Sequence, residues 1–518
     1  MPAKLVVFCF TTKFTRLKLI SDELKYRIHE AFGHIPTAEQ ERGIDTFAQF
    51  LDDRHPLSVM VLRGSAGTGK TTLAGAIVKA MHAMKQKLML MAPTGRAAKV
   101  FSLYSGHAAS TIHRRIYRQR TAGDLSSFNL NDNLHTDTLF IVDEASMIGS
   151  GHEGQQNFGS GSLLDDLLQY VYHGQCSDYC TPAATGNCRL LLIGDTAQLP
   201  PVGEEEAPAL MSSVLRSYGL KVYECNLTEV LRQSQQSGIL WNATMVRQLI
   251  THDALTQLPK MRLQGFADIV RITGDELIET LATSYSRVGT DETIVVTRSN
   301  KRANIYNQGI RRTVLDREEE LCRGDQLMIV KNNYTLTASL SLADPKVPSF
   351  LANGDRCVVR RVRHVHELYG FRFAEVTFLL PDYDDYELTS MLLLDTLTTE
   401  VPALTREQQE QLYNNVLEDY SYITTKAERI KKLKTDIYYN ALQVKFGYAV
   451  TCHKAQGGQW AHVYIDQGYM TDDMLTPDYI HWLYTALTRA TERVFLVNWP
   501  KTQVEESPEE GASQSRAE

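Results

Sequence analysis

The chain has 518 residues, 43% of them hydrophobic and 22% charged, and a net charge of −7. That length exceeds one ordinary core, so several domains are expected, and the composition is that of a globular chain. A negative balance excludes a global field drawing the chain to nucleic acid. No apolar run reaches the roughly 18 residues of a membrane span, and eight cysteines in so long a chain do not make a disulfide framework. The expected setting is the cytoplasm, with no membrane partner.

The N-terminal KLVVFCF (4–10) is too short for a signal peptide's apolar region and lacks a cleavage site. A short apolar run over 57–63 predicts a buried strand. It enters GSAGTGKT (64–71) and then an apolar-periodic helix to about Met84. This is the phosphate-loop pattern in its strand–loop–helix setting. Gly64, Ser65, Ala66, Gly67, Thr68, Gly69 and the Lys70-Thr71-Thr72 start of the helix are the expected nucleotide contacts. Backbone amides and the helix N-terminus cradle phosphates there. Lys70 is expected to reach the β- and γ-phosphates of ATP, and Thr71 to hold Mg²⁺.

APTGRAAKVF (92–101) predicts a strand end, a Pro93-Thr94 turn and a helix whose N-terminal backbone suits a phosphodiester. The basic HRRIYRQR (113–120) taken alone is a solvated face. A strand over 138–142 ends in Asp143-Glu144, acids at the edge where α/β sheets bind ligands. Asp143 fits a Mg²⁺ ligand and Glu144 the group that orients or deprotonates the attacking water. The Gly-rich 149–162 and the loop holding His173, Cys176 and Cys180 before Cys188 bracket an amphipathic helix over 163–172. The cysteine spacings are irregular, so ordinary thiols are favoured over a zinc site.

GDTAQLPPVG (194–203) ends another apolar strand. Asp195 and Gln198 can face the γ-phosphate, and the prolines remove slack from the chain that leaves them. Alternating segments around 353–380 suggest a small β-barrel, with Arg360 and Arg361 able to guide a strand. VTCHKAQGGQW (450–460) puts Thr451 and His453 at a strand's end, suited to backbone contacts. Arg489, in YTALTRATERVFLV (484–497), can offer a positive charge to ATP. The tail beyond Lys501 is acidic and reads as disordered.

In this order GSAGTGKTT, APTGRAAK, TIHR, VDEASM, GDTAQLPPVG, VLRQ, VTCHKAQG and YTALTRA resemble the motif set of superfamily 1 helicases. The resemblance is closest to the RecD-like and Dda-like branch and spans Ile35 to Val497. It implies an α/β fold of two RecA-like doubly wound parallel sheets with an inserted pin and an SH3-like barrel. The implied boundaries are an extension over 1–34, a first domain over 35–220 with a pin region over 102–136, and a second domain over 221–335 and 439–500. The barrel would fill 336–438, and the tail 501–518.

The resemblance further implies that Gln40 reads adenine, that Gln459 stands near the nucleotide sugar, and that Arg232 and Arg489 act as arginine fingers. Such a finger is worth roughly 10³–10⁵ in rate, about 4–7 kcal/mol of barrier. Pro93, Thr94, His113, Thr297, Thr451 and His453 are the implied nucleic-acid contacts, although Thr297 also suits a helix cap. The implied activity is ATP-dependent, Mg²⁺-supported unwinding of DNA by a monomeric motor moving 5′ to 3′ on single strands and forks. Two other readings stay open: a translocase or remodeller that unwinds nothing, and an ATP-gated DNA-binding or recruitment protein.

Overall fold

The computed structural model describes residues 21–121, 124–151, 159–172, 186–230, 236–252, 258–333, 335–337, 340, 347, 350–401 and 403–505. The chain divides into two compact units. In the first, six strands form one sheet: β1 (Ser58–Gly64), β2 (Lys87–Ala92), β3 (Ala109–Thr111), β6 (Thr138–Val142), β7 (Arg189–Gly194) and β8 (Lys221–Leu227). Their order is β3-β2-β6-β7-β1-β8, every pairing parallel. Near-continuous apolar runs suit strands covered on both faces, and β6 is buried throughout. One core joins sheet and helices, including Phe47, Met60, Leu73, Ile77, Phe101 and Ile141.

Three expected boundaries move. Leu24, Ile28 and Phe32, on a helix over 21–32, belong to that core, so part of the supposed extension is integral. β8 pairs with β1 over seven residues, which carries the first domain past residue 220. The pin region shrinks, because 102–105 ends a helix (Gly95–Ser105) and β3 belongs to the parallel sheet. What is left is a two-stranded hairpin, β4 (Tyr117–Thr121) and β5 (Asp124–Leu130).

The second unit holds a parallel sheet of order β16-β10-β17-β18-β9. Its strands are β9 (Ile269–Ile272), β10 (Thr293–Thr297), β16 (Ala449–Thr451), β17 (Trp460–Asp466) and β18 (Ala490–Val497). Between β10 and β16 lies a closed barrel of β11 (Gln326–Ile329), β12 (Arg356–Leu368), β13 (Phe371–Leu380), β14 (Tyr386–Leu393) and β15 (Leu442–Phe446). β11 and β15 close it by antiparallel pairing, so the barrel draws a strand from each side of the expected 336–438. Barrel residues Leu327, Val359 and Phe378 share one core with sheet residues Val295, Tyr464 and Phe495. Two helices, Arg406–Asp419 and Lys426–Lys434, cover the barrel through Leu412, Val416 and Leu433. The basic run over 426–434 is thus a helix with an apolar seam. Among the described residues, no helix is long and apolar enough to cross a membrane.

Candidate active site

β6, β7 and β1 are neighbours in register, so Asp143, Asp195 and the loop after Gly64 leave one sheet edge side by side. Gly67 and Gly69 adopt φ of 77° and 76°, the left-handed region where glycine is unstrained. The loop is held from within: Thr68 Oγ1 donates to the Ser65 carbonyl at 2.9 Å, and Lys70 Nζ to the Gly64 carbonyl at 3.2 Å. Gly64 has no room for a Cβ, which would fall 2.8 Å from Thr68 Oγ1. Thr71 and Thr72, in the first turn of the helix Lys70–Ala83, are exposed.

The Asp143 carboxylate accepts the Glu144 amide at 2.9 Å and the Tyr104 hydroxyl. Burial and the neighbouring Glu144 push its pKa up to about 6, against the pull of Lys70 and the Tyr104 hydrogen bond. Glu144 itself has φ 54°, left-handed backbone that is uncommon outside glycine. It starts a 3-10 turn, Ala145–Met147, packed on the end of β7. There Gly194 is required, since a Cβ would lie 2.7 Å from Leu210 Cδ1 and 3.1 Å from the Ser146 amide. Asp195 Oδ1 accepts the Ala197 amide at 3.0 Å, which turns the chain and presents Gln198. Glu144 Oε2, Ser146 Oγ and Gln198 Oε1 are buried without a hydrogen-bond partner. Three orphaned oxygens on neighbouring loops call for a ligand or water that satisfies them.

Gln40 is buried, and both ends of its amide are engaged. Oε1 accepts the Thr37 amide at 2.9 Å, closing a capping box, and Nε2 donates to the Thr68 carbonyl at 2.9 Å. Instead of standing free for adenine, the side chain ties the helix Ala38–Asp52 to the phosphate loop. Tyr104 was not legible in sequence, because only the fold brings the last turn of its helix to Asp143.

In the second unit the candidates separate to opposite sheet edges. Thr297 and Thr451 pair in register at the carboxyl edge, and His453 follows on a short helix, exposed. Thr297 is nevertheless fully buried, and its hydroxyl donates to the Ser299 carbonyl at 3.1 Å. It neither faces a ligand nor caps the next helix; Ser299 does the capping. Beside His453, Lys454 Nζ donates to Asn353 Oδ1 at 3.0 Å. Burial, with the charge of Lys445 added, lowers the Lys454 pKa to about 8.

Gln459 and Arg489 lie at the amino edge, next to the first residues of β17 and β18. Gln459 is exposed. Arg489 is 3% exposed, and its guanidinium donates to the carbonyls of Thr485 (3.0 Å) and Gly458 (3.1 Å) and to Thr488 Oγ1 (3.2 Å). Three acceptors of its own unit therefore hold the expected finger. Arg232, His173, Cys176 and Cys180 lie outside the described residues. Cys188 is a buried thiol, and no cluster of metal-ligating side chains occurs among the described residues.

Pro93 and Thr94 follow β2, half-buried, and His113 stands on a short helix after β3. Burial lowers the His113 pKa to about 4. Arg360 and Arg361 are exposed on β12 at a register shift in its pairing with β13.

Residues 51–204 match an AAA domain model, and residues 446–497 a UvrD-like helicase C-terminal domain model. The chain is 30% identical over 197 residues to the ATP-dependent RecD2 DNA helicase of Deinococcus radiodurans, 37% of this chain and 22% of that one. It is 26% identical over 289 residues to the ATP-dependent DNA helicase dda of Enterobacteria phage T4, 52% of this chain and 56% of that one. With the ATP-dependent DNA helicase Pif1 of Campylobacter jejuni it shares 21% over 446 residues, covering 83% and 86%. The chain thus spans about a fifth of RecD2 and just over half of Dda. Its phosphate loop, strand-end acids and two matched segments agree in likening the chain to the superfamily 1 helicases of the RecD, Dda and Pif1 type.

Proposed function

We propose that this protein is an ATP-dependent DNA helicase that moves 5′ to 3′ along single-stranded DNA and separates the duplex ahead. The observation that carries the chemistry is the set of unsatisfied oxygens of Glu144, Ser146 and Gln198 at the sheet edge that also holds Lys70 and Asp143. Exposed Thr71 and the Asp143 carboxylate are hard oxygen donors of the kind Mg²⁺ takes. When bound, Mg²⁺ neutralises charge on the transferred phosphoryl group. Glu144 orients or deprotonates water, Gln198 contacts the γ-phosphate, and Lys70 leaves the Gly64 carbonyl to meet phosphate oxygens.

The polynucleotide side of the proposal rests on the relatives, each described as an ATP-dependent DNA helicase, and on Thr94, Thr451, His453 and Lys454. Arg232 and Arg489 are the proposed arginine fingers, Arg489 by exchanging its carbonyl partners for phosphate. Gln459 is proposed to hydrogen-bond the nucleotide sugar. The hairpin Tyr117–Leu130 is the proposed pin. Its base is firm: Arg118 pairs with Asp132 at 3.0 Å, and the Asn131 amide donates to the Ile116 carbonyl at 2.6 Å. Opening a base-pair step costs on average about 1.4 kcal/mol, so a wedge needs ATP-driven movement behind it. The protein is proposed to act as a monomer in the cytoplasm.

The test is ATP turnover with and without single-stranded DNA. Severalfold stimulation that Lys70→Ala abolishes supports the motor. Unstimulated turnover, or a biological output that survives Lys70→Ala, favours a binding or recruitment protein instead.

A further inference from the structure

The rigid Pro200-Pro201 exit does not run off into solvent. It turns, with the Glu204 amide donating to the Pro201 carbonyl at 3.0 Å, and the Glu204 side chain then reaches back to the neighbouring loop. Glu204 Oε1 accepts the backbone amides of Ser150 and Gly151, both at 2.7 Å, with Ser150 Oγ at 3.4 Å. Gly149 makes the approach feasible, since a Cβ there would stand 2.9 Å from that oxygen and 3.2 Å from Pro201 Cβ. The loop carrying Glu144 and the loop carrying Gln198 are therefore joined at their roots by β6–β7 pairing and at their tips by one carboxylate.

The contact continues away from the nucleotide site. The Gly149 carbonyl accepts the Leu164 amide at 3.1 Å, which fixes the start of the helix Leu163–Tyr172. Asp166 of that helix is 1% exposed and accepts the Tyr117 hydroxyl at 2.7 Å, at the base of the hairpin. Asp166 also takes the Ser160 amide at 3.1 Å, so the acid is fully committed. A continuous run of hydrogen bonds and stiff backbone thus leads from Gln198 through Pro200-Pro201, Glu204, Gly149 and Asp166 to Tyr117. Contiguity alone does not make coupling, which needs an element whose state both ends bias.

We propose that Glu204 is a positioning residue that makes the two nucleotide-sensing loops move as one body and passes that movement to the hairpin base. The proposal rests on the ATPase reading above. It assigns Glu204 no contact with nucleotide; its work is done through Glu144, Gln198 and the helix over 163–172.

The experiment uses the full chain and compares hydrogen exchange at residues 116–118 and 150–151 with and without Mg-ATP, beside ATP turnover on single-stranded DNA and fork unwinding. In the intact protein, nucleotide is expected to change exchange at the hairpin base. In Glu204→Ala, the 150–151 amides exchange faster and the nucleotide-dependent change at 116–118 disappears. Turnover stays within about twofold and unwinding falls about fivefold or more. Glu204→Gln keeps a carbonyl acceptor and recovers most of the unwinding. Tyr117→Phe combined with Glu204→Ala unwinds no worse than the poorer single variant, because both cut the same path. The proposal is overturned if nucleotide still reaches 116–118 in Glu204→Ala, if turnover and unwinding fall in equal proportion, or if the double variant multiplies the two losses. Absence of stimulated turnover in the intact protein would instead sink the ATPase reading, while the exchange result still decides whether Glu204 transmits anything.

Discussion

The two parallel sheets use their edges differently. In the first, one carboxyl edge gathers the phosphate loop, Asp143, Asp195 and the turn after β2, because adjacent strands deliver them in register. In the second, Thr297 and Thr451 lie at the carboxyl edge while Gln459 and Arg489 lie at the amino edge. The first edge gathers most of the groups proposed to hold and cleave a triphosphate. The second sheet keeps its candidate strand contacts apart from its candidate nucleotide contacts.

The largest effects are expected at the first edge. Lys70→Ala and Glu144→Gln should each lower ATP turnover by about 10²–10⁴, the usual worth of such groups. They should differ in binding: Glu144→Gln traps ATP, and Lys70→Ala loses it, as fluorescent-nucleotide titration would read. Intact turnover in Glu144→Gln would remove the water-orienting role from that residue.

Next in size is the hairpin. Replacing Arg118 to Asn133 with a short Gly/Ser turn should leave strand-stimulated turnover in place and cut unwinding about tenfold or more. Equal unwinding by both proteins would take the pin role away from these strands.

A smaller effect is expected at the second sheet's carboxyl edge. Lys454, with its pKa lowered to about 8, is an ammonium below that value and neutral above it. Single-strand affinity should therefore decline as pH rises through about 8. Lys454→Gln should bind a few-fold more weakly at pH 7, the loss of one phosphate contact, and should flatten the decline. An identical pH profile in the variant would place the strand elsewhere.

The smallest effect is expected at Thr297. Its buried hydroxyl serves the Ser299 carbonyl, so Thr297→Val should change strand affinity by no more than about twofold, measured by anisotropy.

These differences follow what was legible in the sequence. The phosphate loop and the acids after β6 are read from short, contiguous patterns whose chemistry is made by backbone turns and strand ends, and they stand where the pattern puts them. The barrel's middle strands were legible from alternation around glycine turns. β11 and β15 were not, because their pairing joins residues more than 100 positions apart. Thr297 was misread because a strand-end threonine looks alike whether its hydroxyl faces a ligand or a neighbouring carbonyl. Gln40 and Arg489 carry the right chemistry, yet their partners here are backbone and hydroxyl groups of their own unit. Tyr104, Glu204 and Asp166 gave no signal, since each gains meaning only from a residue brought near by the sheet.

The most direct test of the account is unwinding of two forks, one with only a 5′ single-stranded tail and one with only a 3′ tail, in Mg-ATP and in a non-hydrolysable analogue. The account predicts separation of the 5′-tailed fork alone, and only with hydrolysable ATP. Separation of neither fork, or equal separation with the analogue, would contradict it.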